Sequence, residues 1–160
     1  MPVPHSLTLF RPGEEPDRPL SKLPPEVPRT FTGAGLLLNH GILAAELLGL
    51  DTREAQTAID VAGGMPEGVL RAYDEEDAEI LAKILAATAA ALGEALDAGG
   101  GSRGPLGERL AASPLLGLDD QGRLFFKSRH LLVNDLRREL PALSRFLKFA
   151  ADHGLWLRIE

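Results

Sequence analysis

The sequence predicts an α+β fold, rich in helix, in which a small sheet of about three short strands (near 6–10, 123–127 and 155–159) packs against four to six helices. Three observations point there. Long stretches repeat Leu, Ile and Ala at spacings of three and four residues, the period of one helical face. Aromatic residues supply only 5% of the 160 positions, with one Trp and one Tyr, so Leu, Ala and Ile must fill the core, a palette that favours helices. The remaining apolar segments are short and alternate, or are rich in β-favouring side chains. A chain of this length forms one domain by default. Its 44% hydrophobic and 25% charged residues place it among folded chains and away from disordered ones.

The first 30 residues hold eight of the twelve prolines. Proline removes an amide donor and fixes φ, so this stretch is neither a helix nor a central strand. Residues 1–30 are therefore expected to form a Pro-rich arm, and 31–160 a single globular domain with a flexible Gly-rich loop at 99–104. Within the arm, Leu7 and Leu9 alternate with Ser6 and Thr8, a candidate edge strand over 6–10. Residues 11–29 are expected to extend over the domain, with a disordered tail as the alternative.

A first helix opens at Phe31–Gly35, carries Leu36, Leu37, Leu38, Ile42, Leu43, Leu47 and Leu48, and stops at Gly49. A second is signalled by Asp51-Thr52-Arg53-Glu54, a capping-box spacing with Asp51 as cap and Glu54 reaching back. It carries Ala55, Ala58, Ile59 and Ala62 and ends at Gly63-Gly64. Residues 65–73, with Pro66 and Gly68, are expected to form a loop with at most a short helical turn.

Asp74 caps the clearest helix, with Glu75, Glu76 and Asp77 in a first turn where the macrodipole favours negative charge. Its stripe is Ile80, Leu81, Ile84, Leu85, Thr88, Leu92, Ala95 and Leu96. A short helix over 105–112 begins with Pro105. Asp119-Asp120-Gln121-Gly122 is a turn and introduces the strand at 123–127. From His130 a helical pattern runs to Ala150, and Pro141 is expected to divide or kink it. After Gly154 the alternation of Leu155, Leu157 and Ile159 with Trp156 and Arg158 gives the last strand. Phe10 and Trp156, on the outward faces of the terminal strands, are a candidate surface for a second copy or another partner.

The chain has no cysteine, which excludes disulfides, a thiol nucleophile, a thiolate zinc site and an iron–sulfur cluster. The N-terminal residues have no basic n-region followed by an apolar stretch, so no secretory signal is read there. No apolar run has the length of a membrane span. A cytoplasmic protein is expected. His5, His40, His130 and His153 show no metal-ligand spacing, and His40 on an apolar helix is expected to be a core histidine. No serine among Ser6, Ser21, Ser102, Ser113, Ser128 and Ser144 lies in a nucleophile elbow. Thr32-Gly33-Ala34-Gly35 lacks the lysine and the preceding strand of a phosphate loop. No metal, cofactor or catalytic residue is assigned, and no motif marks a known family.

Charge is the informative feature. The net charge is −6, but residues 1–120 hold 9 basic against 19 acidic side chains, while residues 121–160 hold 8 against 4. Two surfaces follow. Asp74, Glu75, Glu76, Asp77 and Glu79 form an acidic run suited to a basic partner. Arg129, Arg137, Arg138, Arg145 and Lys148 form a basic surface on the C-terminal helix, suited to phosphate. The acidic pI of 5.2 argues against nucleic acid.

These features lead to the expectation of a non-enzymatic protein-binding domain: a bacterial immunity or antitoxin-type inhibitor, or an adaptor, acting on another protein such as a basic toxin or enzyme. Two alternatives stand beside it. One is a small enzyme whose site is assembled from distant residues, with His40, Asp60, Glu76 and His130 as candidates. The other is a nucleic-acid-binding protein using the basic helix.

Overall fold

The computed structural model describes residues 5–20, 23–66 and 68–160. The N-terminal tetrapeptide read for a signal, Ser21 and residue 22 of the arm, and residue 67 of the 65–73 loop lie outside them.

The fold is α+β, with five helices and two small antiparallel sheets among the described residues. The helices are α1 (Ala34–Leu47), α2 (Arg53–Gly63), α3 (Glu75–Ala95), α4 (Gly104–Ala111) and α5 (Val133–Asp152). The strands are β1 (Leu7–Phe10), β2 (Thr30–Phe31), β3 (Ala72–Tyr73), β4 (Leu116–Leu118), β5 (Leu124–Phe126), β6 (Leu131–Leu132) and β7 (Trp156–Ile159).

Helix α3 is central, and its start is dictated locally. The Asp74 carboxylate accepts the Asp77 amide at 2.8 Å, and the Asp77 carboxylate accepts the Asp74 amide at 3.3 Å, a reciprocal capping box. Leu81, Leu85 and Leu92 are then buried against α5. The chain leaves α3 through a turn closed by Asp97, whose Oδ1 accepts the amides of Gly99 (2.9 Å) and Gly101 (3.0 Å).

Helix α5 runs unbroken through Pro141, which departs from the expected division. Proline inside a helix costs about 3 kcal/mol. Pro141 and Arg137, whose carbonyl loses its partner, lie on a half-buried face, while Leu136, Leu140, Leu143 and Leu147 are buried. Each such leucine contributes about 1.5–3 kcal/mol on burial, so a continuous seam on α3 outweighs the lost bond.

At α2 the expected capping box is absent. The N-cap is Thr52, without a side-chain cap bond. Asp51 instead accepts the Arg53 amide at 3.1 Å and the Arg53 guanidinium at 3.0 and 2.8 Å. The neighbouring guanidinium engages the carboxylate before it can act as cap for a later amide.

The first sheet has the order β2-β1-β7-β3. The two ends of the chain meet in it, with Leu7 opposite Ile159 and Phe10 opposite Trp156. β1 is thus an interior strand, not the edge strand expected, because the two-residue β2 pairs with its other side. The strand expected near 123–127 does not join β1 and β7. It lies in a second sheet, β4-β5-β6, because tight local turns supply both its neighbours. Asp119 Oδ1 accepts the amides of Gln121 and Arg123 and closes the β4–β5 hairpin. His130, at φ 52°, carries the chain back into β6.

The helix-facing residues Leu7, Leu9 and Leu157 join the buried residues of α1, α3 and α5 and Leu124 and Phe126 of the second sheet in one cluster. Phe10, expected to face outward, is 2% exposed and meets Trp156 edge to face. The described residues of the arm lie over the domain. Leu20, Leu23 and Val27 pack against the core, and Asp17 pairs with Arg158 at 2.9 Å. Among the described residues, no helix is long and apolar enough to cross a membrane.

Candidate functional site

The acidic run is not an isolated helix end. Helix α2, with Asp51 just before it, and the N-terminal half of α3 enclose an open groove. One part, about 690 Å³, is lined by Asp51, Glu54, Val61, Asp74, Glu76 and Asp77. A second part, about 350 Å³, shares Asp51, Glu54 and Ile80 with the first and continues along Ala55, Ile84 and Ala87. Six carboxylates (Asp51, Glu54, Asp74, Glu76, Asp77 and Glu79) face two cations, Arg53 and Lys83, around the two parts together.

Sequence spacing explains the convergence. Asp51, Glu54, Ala58 and Val61 recur at three and four residues and share one side of α2, as Glu76, Ile80, Ile84 and Ala87 share one side of α3. The groove thus has carboxylates along its length, with Ala55, Ala58, Ile80, Ile84 and Ala87 as the apolar part of its lining. Val61, at 59% exposure, is among the most exposed large apolar side chains. The acidic run pointed to half of this surface. Asp51, Glu54 and Val61 were missed, although the helical spacing on α2 carried the signal.

The five acidic residues do not share one role. Asp74 and Asp77 are bound to each other's amides. Burial and the neighbouring Asp74 charge push the Asp77 carboxyl above the ordinary Asp range. Glu79, at the edge of the groove, is already engaged, accepting Lys148 of α5 at 2.8 and 3.0 Å and lying 3.6 Å from Lys83. That hydrogen bond holds its carboxyl below the ordinary Glu range. Glu75 and Glu76 are exposed and form no ion pair among the described residues. At the mouth, the hydrogen bond from Arg53 brings Asp51 down to about 2.

The basic surface is broken up in the same manner. Lys148 is bound to Glu79 and to Asp152, and Arg138 to Asp135. Arg129, Arg137 and Arg145 have no ion pair among the described residues, and Arg129 and Arg145 are exposed.

The candidate enzyme residues are dispersed. His40 is 8% exposed in α1, its Nδ1 hydrogen-bonded to the Leu36 carbonyl at 2.9 Å and its ring edge-on to Phe126, so it is a satisfied core histidine. His130 is exposed and stacked on Phe125. Asp60 is exposed on α2, and Glu76 lines the groove. No hydrogen bond among the described residues joins any two of these side chains. Neither does any group of three or more His, Asp or Glu among those residues have the arrangement of a metal site.

Comparison of the chain with protein-family models, curated proteins and solved structures finds no match.

Proposed function

We propose that this chain is a non-enzymatic, cytoplasmic protein-binding domain that receives a basic protein partner in the α2–α3 groove, in the manner of a bacterial immunity or antitoxin-type inhibitor or of an adaptor. The observation that carries the reading is the convergence of carboxylates from two helices around one open groove with a partly apolar lining. An acidic rim steers a cationic partner and accelerates its encounter. The exposed Val61 and half-buried Ile80 and Ile84 offer apolar area for a partner to cover, which supplies affinity where rim charges supply rate and specificity. Glu54, Glu75 and Glu76 are exposed and form no ion pair among the described residues, so a partner displaces none of those contacts.

The test is copurification of the tagged chain with its partner, followed by association kinetics of the double charge reversal Glu54→Lys/Glu76→Lys. Association should slow by about tenfold at low salt, and the difference should shrink above about 0.5 M salt as screening sets in. An association rate unchanged by the reversal refutes the groove as the docking surface. Retention of the chain on heparin at moderate salt, lost on neutralising Arg129, Arg137 and Arg145, would favour the nucleic-acid reading instead.

A further inference from the structure

A second, smaller cavity lies on the other side of α2, between α1, α2 and the helix-facing side of the first sheet. Its volume is about 170 Å³, comparable to the roughly 150 Å³ cavity that accepts a benzene ring in an apolar protein interior. The walls are aliphatic: Leu7, Leu38, Ile59, Ala62 and Ile159. Four polar side chains line it as well, His5, Asn39, Arg71 and Tyr73, and no Asp or Glu is among its lining residues.

The register explains the grouping. Tyr73 lies opposite Leu157, and the Ile159 amide bonds to the Arg71 carbonyl at 2.9 Å. Arg71, just before β3, and Tyr73 are two residues apart in extended chain, so they share a side of the sheet with Ile159 and Leu157. His5 enters from the other direction. Its carbonyl accepts the Gly35 amide at 2.9 Å and its ring Nδ1 is bound to the Glu160 carbonyl at 3.1 Å, which pins it against the first turn of α1. A β-carbon on Gly35 would lie 2.8 Å from that of His5, so glycine permits this approach.

Tyr73 is 5% exposed, yet its hydroxyl has no hydrogen-bond partner among the described residues. Its hydroxyl is not one of the fully buried unpartnered atoms, which among the described residues are Asn134 Oδ1 and Arg158 Nε, and the residue lines the cavity, so the hydroxyl is free to donate to a ligand there. Burial, with the Asp77 charge, pushes its pKa up to about 12, so at neutral pH it remains an O–H donor. Arg71 is exposed and has no ion pair among the described residues. A fixed neutral donor and an uncommitted guanidinium at the border of an aliphatic chamber are complementary to a carboxylate carrying a short apolar tail.

We infer that the α1–α2–sheet cavity is a binding site for a small monocarboxylate, with its apolar tail among Leu38, Ile59 and Ile159 and its carboxylate on Arg71 and the Tyr73 hydroxyl. This site is separate from the α2–α3 groove, and it stands whether or not a protein docks there.

The test uses the full chain with ¹³C-labelled methyl groups and four probes: sodium benzoate, sodium butyrate, benzyl alcohol and inorganic phosphate. Benzoate or butyrate should shift the Leu38, Ile59 and Ile159 methyl signals saturably, with Kd about 1 mM or tighter. Benzyl alcohol should bind about tenfold more weakly for want of the charge, and phosphate, which has no tail, should leave these methyls in place. Arg71→Gln should weaken carboxylate binding about tenfold and Tyr73→Phe several-fold, the scale of one charge-assisted hydrogen bond. Both variants should keep the circular dichroism of the parent. Failure of both carboxylates to shift these methyls saturably in the parent chain overturns the inference without recourse to any variant. So does equal affinity of the parent and the Arg71→Gln/Tyr73→Phe double variant.

Discussion

Helix α3 has two sides that are built differently. Toward α5 it presents Leu81, Leu85 and Leu92, none more than 1% exposed, to Leu136, Leu140, Leu143 and Leu147, which are fully buried. The seam is locked by Ser144, whose hydroxyl donates to the Ala82 carbonyl at 2.8 Å. Where α1 crosses, the helices approach closely at a glycine: a β-carbon on Gly41 would lie 2.7 Å from a Leu85 methyl and 3.1 Å from a Leu140 methyl, so those side chains would have to shift to admit it. Toward α2 the same helix meets Ala55 and Ala58 and leaves Ile80 and Ile84 half open. One side is filled with leucine, and the other is lined with alanine and carboxylate. The leucine packing is therefore concentrated between α3 and α5, and the α2 side is the more open of the two.

Substitutions on the two sides should differ by several kcal/mol. Leu140→Ala removes a fully buried side chain at the junction of α1, α3 and α5, and should cost about 2–5 kcal/mol in urea unfolding, since transfer and cavity terms add. Ser144→Ala deletes a single neutral hydrogen bond in the same seam and should cost about 1 kcal/mol. Val61→Ser, across the helix, should change stability by less than about 0.5 kcal/mol, because the side chain is already in water. A large loss from Val61→Ser, or a negligible one from Leu140→Ala, would remove the distinction between a structural and an available side.

How far this asymmetry could be read in advance depends on range. The Asp74 cap and the stripe from Ile80 to Leu96 are local patterns, and they mark α3 in full. Pro141 does not divide its helix, the first of the two expected outcomes, because the long α3 seam outweighs its local cost. The pairing of β1 with β7 joins residues some 150 positions apart, and no short-range pattern announces it. Strands of two and three residues such as β2, β3, β4 and β6 offer too few side chains to show a period of two. At the groove, the acidic run was legible as composition. Its division was not, because the pairing of Glu79 with Lys148 depends on the rotation of α3 against α5.

The finest contrast lies between two carboxylates only two residues apart in α3, Asp77 and Glu79. Asp77, on the α2 side, is partly buried beside the Asp74 charge, so its folded-state pKa is raised. Its ionisation opposes folding: stability starts to fall as pH rises through the unfolded Asp value and levels off above the raised one. Glu79, bound to α5, is lowered chiefly by the hydrogen bond from Lys148, and its contribution has the opposite sign. It is complete above the unfolded Glu value and lost as pH falls through the lowered one. A ¹³C carboxyl titration should therefore show Asp77 protonating at a higher pH than an ordinary Asp, and Glu79 at a lower pH than an ordinary Glu. Lys148→Gln should return Glu79 toward its ordinary value and leave Asp77 where it was. Movement of both carboxyls in that variant would mean that the two sides of α3 share one electrostatic environment, and that the groove is not independent of the core seam behind it.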